Sequence, residues 1–172
     1  MGARLAVEHG VDNVTVEDLA DAVGLLPVQL ALHRDGAPHV CIGDAYLEAS
    51  ARLHAAWAAR FAEQDTWSGG IGASTEALLQ AVAEDGVAAQ LCFVAIQRGD
   101  RELLRLRERV RRRNVESLCE QYALHHPGEP VPEIHLELVC GTLLHQIAEA
   151  VAEDRVGVLA ERVDEILAVA GA

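Results

Sequence analysis

The side chains best equipped for chemistry in this chain are its histidines, cysteines and arginines, and their spacing decides what they can do. His125-His126, together with His135, Cys140 and His145, raises the prospect of a metal site. Ligands on one helical face repeat every three or four residues, whereas Cys140 and His145 stand five apart, so the set does not converge on an ion. Glu-x-x-His, the unit of di-iron carboxylate bundles, does not occur. Gly-x-Ser-x-Gly, His-Glu-x-x-His and a phosphate-cradling glycine loop are also missing, so catalysis has no foothold and neither metal nor cofactor is expected. Cys41, Cys92, Cys119 and Cys140 lie 51, 27 and 21 residues apart with no Cys-x-x-Cys, and read as small core residues rather than bridges or ligands.

Arginine supplies all 14 basic residues, and eight of them fall between Arg98 and Arg113 against Asp100, Glu102 and Glu108, a local net of +5. The plainer reading is a solvated helix face laced by pairs such as Glu108 to Arg112. A patch for RNA or an acidic partner is the alternative, but it lacks the interleaved aromatics of a single-strand binder. The whole chain carries −13, which argues against diffuse binding to nucleic acid or anionic membranes, because both need a positive footprint. Any contact with DNA must be local.

These residues sit in 172 positions that are 51% apolar and 24% charged, enough to bury a sizeable core. No stretch free of Asp, Glu and Arg exceeds 12 residues, too short to span a bilayer. Met1-Gly2-Ala3-Arg4 leads into an acidic segment rather than an apolar run, so no secretory signal is expected and the location is read as cytoplasmic.

With 3% aromatics, 29 alanines and β-branched residues diluted among Ala, Leu, Glu and Arg, the fold class is all-α. Val16, Leu19, Ala20 and Val23 follow helical spacing after Thr15, whose Asp18 three residues on resembles a capping box. Gly24 ends that helix, Pro27 opens a short one over 27–33, Asp35-Gly36 signals a turn, and Pro38 can open the next. Tyr46, Leu53, Trp57 and Phe61 stripe a long helix over about 40–64. Ser68-Gly69-Gly70-Ile71-Gly72 reads as a break that exposes Trp67, with Ser74 or Thr75 capping the following helix to Asp85-Gly86. A nearly uncharged helix over 87–97 and an Arg-rich one over about 100–124 come next, then the rigid loop His126 to Pro132. Leu136, Val139, Leu143, Ile147 and Val151 stripe the penultimate helix; Val156, Leu159, Val163, Ile166 and Val169 stripe the last. Those two stripes must be buried either in the chain's own core or against a second copy.

Glu8-His9-Gly10, Val14-Thr15-Val16-Glu17-Asp18-Leu19-Ala20 and Val23-Gly24-Leu25-Leu26-Pro27 together resemble the amino-terminal helix-turn-helix of the tetracycline-repressor-like (TetR) family of transcription regulators. The resemblance covers roughly the first quarter of the chain. It implies a three-helix DNA-binding domain over 1–39 and a larger helical effector-binding and dimerisation domain over 40–172. It also implies a homodimeric repressor, acting on a double-stranded DNA operator and released from it by a small hydrophobic effector. Thr15 would meet a phosphate or serve as a plain N-cap, Gln29 could pair with adenine, His33 with a phosphate or purine edge, and Arg34 with phosphate. Departures from the family pattern are Ala6 in place of a large aromatic, Ala31 in place of Tyr, Arg34 in place of Phe and Pro38 in place of Lys. Residues 1–46 carry two Arg against seven acids.

By the same resemblance, Trp57, Phe61, Cys92, Phe93, Ile96 and His145 surround an effector cavity, unless they are simply core. Leu143, Ile147, Leu159, Val163 and Ile166 are the expected dimer interface. The alternative to a regulator is a module of the same fold that binds a ligand or protein partner and no longer reads DNA.

Overall fold

A computed structural model describes residues 2–34, 38–161, 165 and 168, and every regular element among them is helical. Local chemistry sets the first elements. α1 (Gly2–His9) ends at Gly10, whose φ of +87° is open to glycine, and Asn13 donates to the His9 carbonyl at 3.0 Å. α2 (Val16–Val23) starts on the Thr15–Asp18 capping box. It stops at Gly24 in the left-handed region, where the Leu25 N–H closes onto the Ala20 carbonyl at 2.9 Å. α3 (Pro27–Arg34) opens on a proline whose missing N–H costs nothing at a first helical position.

The 25-residue α4 (Pro38–Ala62) is the spine that joins three clusters of buried side chains. Its Ile42 and Tyr46 pack with Ala6, Val11, Val14 and Leu19, and with Leu91, Ile96, Leu103 and Leu106 from later in the chain. The core beneath α1 and α2 thus crosses the boundary expected at 39/40. Leu53 belongs to the second cluster with Leu78, Phe93, Ile147 and Leu159, and Phe61 to the third with Ile71, Leu118 and Leu136.

α5 (Trp67–Glu84) departs from the sequence reading, because it begins eight residues before Thr75 and carries Gly69, Gly70 and Gly72 inside its first turns. Thr66 is the cap, accepting from the Gly69 N–H at 3.2 Å. The expected break does not form because a close approach needs the glycine: a Cβ on Gly70 would stand 2.3 Å from the Phe61 ring. Trp67 is not the exposed residue expected; it is half-buried among Phe61, Tyr122, His125 and His126.

The stretch expected as one helix over 87–97 is three pieces: α6 (Gly86–Ala89), a π turn (Gln90–Val94) and a 3-10 turn (Ala95–Arg98). Leu91 and Ile96, five residues apart, both point fully buried into the first cluster, and the wider π turn provides that phase. α7 (Arg101–His125) begins at Asp100, whose carboxylate accepts from the Glu102 and Leu103 N–H groups, each at 2.9 Å. α8 (Glu133–Ala152) and α9 (Val156–Ala160) close the described chain. The Asp35-Gly36 turn, Val163, Ile166 and Val169 lie outside the described residues.

Candidate functional site

Two regions carry the expected site residues. In the first, α2, the Gly24 turn and α3 follow one another as brace, turn and short outer helix. Thr15 is fully engaged locally: its hydroxyl accepts from the Asp18 N–H at 3.1 Å and donates to the Asp18 carboxylate at 2.8 Å, while its N–H donates to the same carboxylate at 2.9 Å. Those bonds hold Asp18 below the usual carboxylate range. Gln29 is exposed, and its side-chain oxygen accepts from the Leu26 N–H at 2.9 Å, the reciprocal half of a capping box at the start of α3. The side chains of His33 and Arg34, at the end of α3, lie outside the described residues. Apolar side chains are prominent on this surface, with Leu26 63% and Val28 62% exposed.

The second region is a partly open cavity of about 320 Å³ bordered by α4, α5, the π turn, α7 and α8, within the range of small-molecule sites. Leu53, Trp57, Ile71, Leu78, Phe93, Leu143 and Leu144 make its apolar walls. Trp57, Cys92, Phe93 and His145 are among its lining residues. Phe61 and Ile96 are not: each is fully buried in a neighbouring cluster, Phe61 against Gly70 and Ile96 against the α1 side. His145 is at an exposed edge, 3.6 Å from Glu149.

Sequence reasoning missed the cavity's polar side. Tyr46, Ser50 and His54 enter it from α4, Thr75 from α5, Gln97 from the 3-10 turn, and Arg107, Arg111 and Asn114 from α7. The signal was present: Arg107, Val110, Arg111, Asn114 and Leu118 follow the spacing of one helical stripe, on a helix read as a solvated charged face. Arg111 is tied to both oxygens of Glu108 at 2.8 and 2.9 Å and to Glu137 at 2.8 Å, which raises its already high pKa. Among the described residues, Arg107 has no carboxylate within 4 Å, although its charge helps hold the neighbouring Glu108 below the usual carboxylate range. Burial, aided by the nearby Arg113 charge, holds His54 below the ordinary imidazole value. Burial also pushes the Cys92 and Cys140 thiols up to about 11, so both stay protonated and unreactive at neutral pH. All four cysteines are free and half-buried.

The expected dimer residues are divided. Ile147 and Leu159 are buried within the chain's own second cluster, and Leu143 faces the cavity, because the stripe they share turns inward; this corrects their assignment to an intermolecular face. The exposed face of α8 holds Ile134 and Leu138 instead, 77% and 64% exposed. No single helix among the described residues is long and apolar enough to cross a membrane.

No family model and no curated protein matches this chain. Among solved structures, the TetR family transcriptional regulator PfmR from Thermus thermophilus superposes with a TM-score of 0.73 at 21% identity, covering 96% of this chain and 91% of that one. The chain has the TetR fold. In TetR-fold terms, α2 and α3 are the amino-terminal helix-turn-helix and the cavity lies in the larger helical part. At this identity the likeness is one of architecture.

Proposed function

We propose that this chain is a cytoplasmic, homodimeric transcription regulator, a repressor released from its double-stranded DNA operator by a small, largely apolar effector. The observation that carries the reading is the coexistence, in one TetR fold, of a capped helix-turn-helix and a 320 Å³ cavity in the helical part behind it. Gln29 contributes base contact, Thr15 and Arg34 position phosphates, and His33 adds a cation as it protonates. The dimer forms through the outward face of α8 around Ile134 and Leu138, whose exposure supports that choice.

Selection of genomic fragments at low and moderate salt tests this. A specific duplex should emerge, and Arg34→Ala should flatten its salt dependence by about one unit of slope. Gln29→Glu separates reading from capping, since Glu keeps an acceptor for the Leu26 N–H but loses the amide donor that adenine requires; it should relax one base position at a cost of about 1–3 kcal/mol.

A second reading, a TetR-fold module that binds ligand or protein but not DNA, is favoured by one observation. Residues 1–46 hold two Arg against seven acids, so few phosphates can be neutralised. Failure to select any duplex above non-specific affinity at low salt would establish it over the first.

A further inference from the structure

The cavity has a chemical polarity that its apolar walls conceal. Among the described residues, its lining contains two guanidinium groups and no carboxylate. Arg111 is already neutralised, held by Glu108 and Glu137. Arg107, one turn earlier on the same face of α7, reaches the cavity half-buried; among the described residues no carboxylate lies within 4 Å of it, and its neighbour Glu108, which feels its charge, is bonded to Arg111. Asn114 continues that face and offers an amide donor, while the wall around Trp57 and Phe93 is apolar. A half-buried cation with no carboxylate in contact, set beside apolar surface, is met by water or by an anion. The surroundings reinforce the sign: residues 98–113 carry +5 within a chain of −13.

We propose that the cavity binds an amphipathic monoanion, its acidic head on Arg107 and its apolar body against Trp57 and Phe93. This deepens the effector reading, on which it rests, replacing a purely hydrophobic ligand with one that carries a single negative charge. A guanidinium meets a carboxylate or sulfonate through two parallel N–H donors, which gives both affinity and orientation. Arg107→Lys would therefore keep the charge but lose the two-pronged geometry.

Two fluorescent probes test the charge directly. 1-Anilinonaphthalene-8-sulfonate and N-phenyl-1-naphthylamine share a ring system and differ in the sulfonate. Titrated into the full chain, the anionic probe should bind at least about tenfold more tightly than the neutral one. Arg107→Gln should abolish that preference by weakening the anion alone, and Arg107→Lys should leave it intermediate. Arg101→Gln, exposed on the same helix and outside the cavity, should change neither. Far-UV circular dichroism must match across the variants, because the anionic probe also reports loosened cores. Equal or tighter binding of the neutral probe, binding of neither, or parallel weakening of both by Arg107→Gln with an unchanged fold would overturn the proposal. Anion binding that leaves duplex affinity unaltered would instead sink the regulator reading while the cavity's preference stood.

Discussion

Gly70 and Phe61 share one space: the ring occupies the position a Cβ on Gly70 would take, 2.3 Å from its nearest carbon. α4 and α5 therefore meet more closely at this point than any other residue would permit, and the glycine-rich run is a contact surface rather than a hinge.

Gly70→Ala should accordingly destabilise the chain. In an unobstructed helix the change would stabilise by about 0.5–1 kcal/mol, but displacing a fully buried aromatic ring costs about 1–3 kcal/mol and reverses the sign. Urea unfolding followed by circular dichroism measures it. Gly86→Ala, at the start of α6 with open space around its Cβ position, is the control and should show no loss of this kind.

Thr15→Ala should cost about 1 kcal/mol, because it removes the acceptor for the Asp18 N–H. Thr15→Ser keeps the bond and should fold as the parent does. If duplex binding by the Ser variant is also unchanged while the Ala variant loses affinity beyond what its folding loss explains, the hydroxyl has a role at phosphate as well as at the cap.

His54 should make stability fall on acidification. Its folded pKa lies below the ordinary value near 6.5, so the unfolded chain takes up the proton first. Stability from this group is complete above about pH 6.5 and declines as pH falls through that value toward the lower folded one. Urea midpoints from about pH 7.5 to 5 should decline less steeply in His54→Gln; an unchanged slope would remove His54 as the source.

Leu138 and Leu159 should respond differently to Asp. Leu138→Asp places a charge on an exposed face of α8 and should shift a dimer to monomer in sedimentation without loss of helix content. Leu159→Asp buries a charge beside Ile147 and should unfold the chain, by several kcal/mol, whatever its oligomeric state. A chain monomeric at all accessible concentrations would end the dimer reading.

What was legible in the sequence was what neighbours in the chain decide. Thr15 with Asp18, Gly24, Pro27 and Pro38 place the ends of α2, α3 and α4 because caps and backbone restrictions act within a few residues. The glycine run was misjudged because its partner, Phe61, comes from another helix, and no local rule records a ring arriving from outside. Trp57, Cys92, Phe93 and His145 were placed at the cavity by resemblance, whereas Arg107 and Asn114 were absorbed into a charged helix whose pattern looks the same facing water or a ligand. Ile147 and Leu159 show the same limit for apolar stripes, since periodicity reveals that a face is buried but not by which chain.

The π turn over Gln90–Val94 gives the molecule a party wall. On one side Leu91, with Ile96 just beyond it, is fully buried against the residues that seat α1 and α2; on the other, Cys92 and Phe93 face the cavity. A close-packed interior leaves little slack across so thin a partition. The seating of the first two helices and the lining of the cavity thus share a single short stretch of backbone.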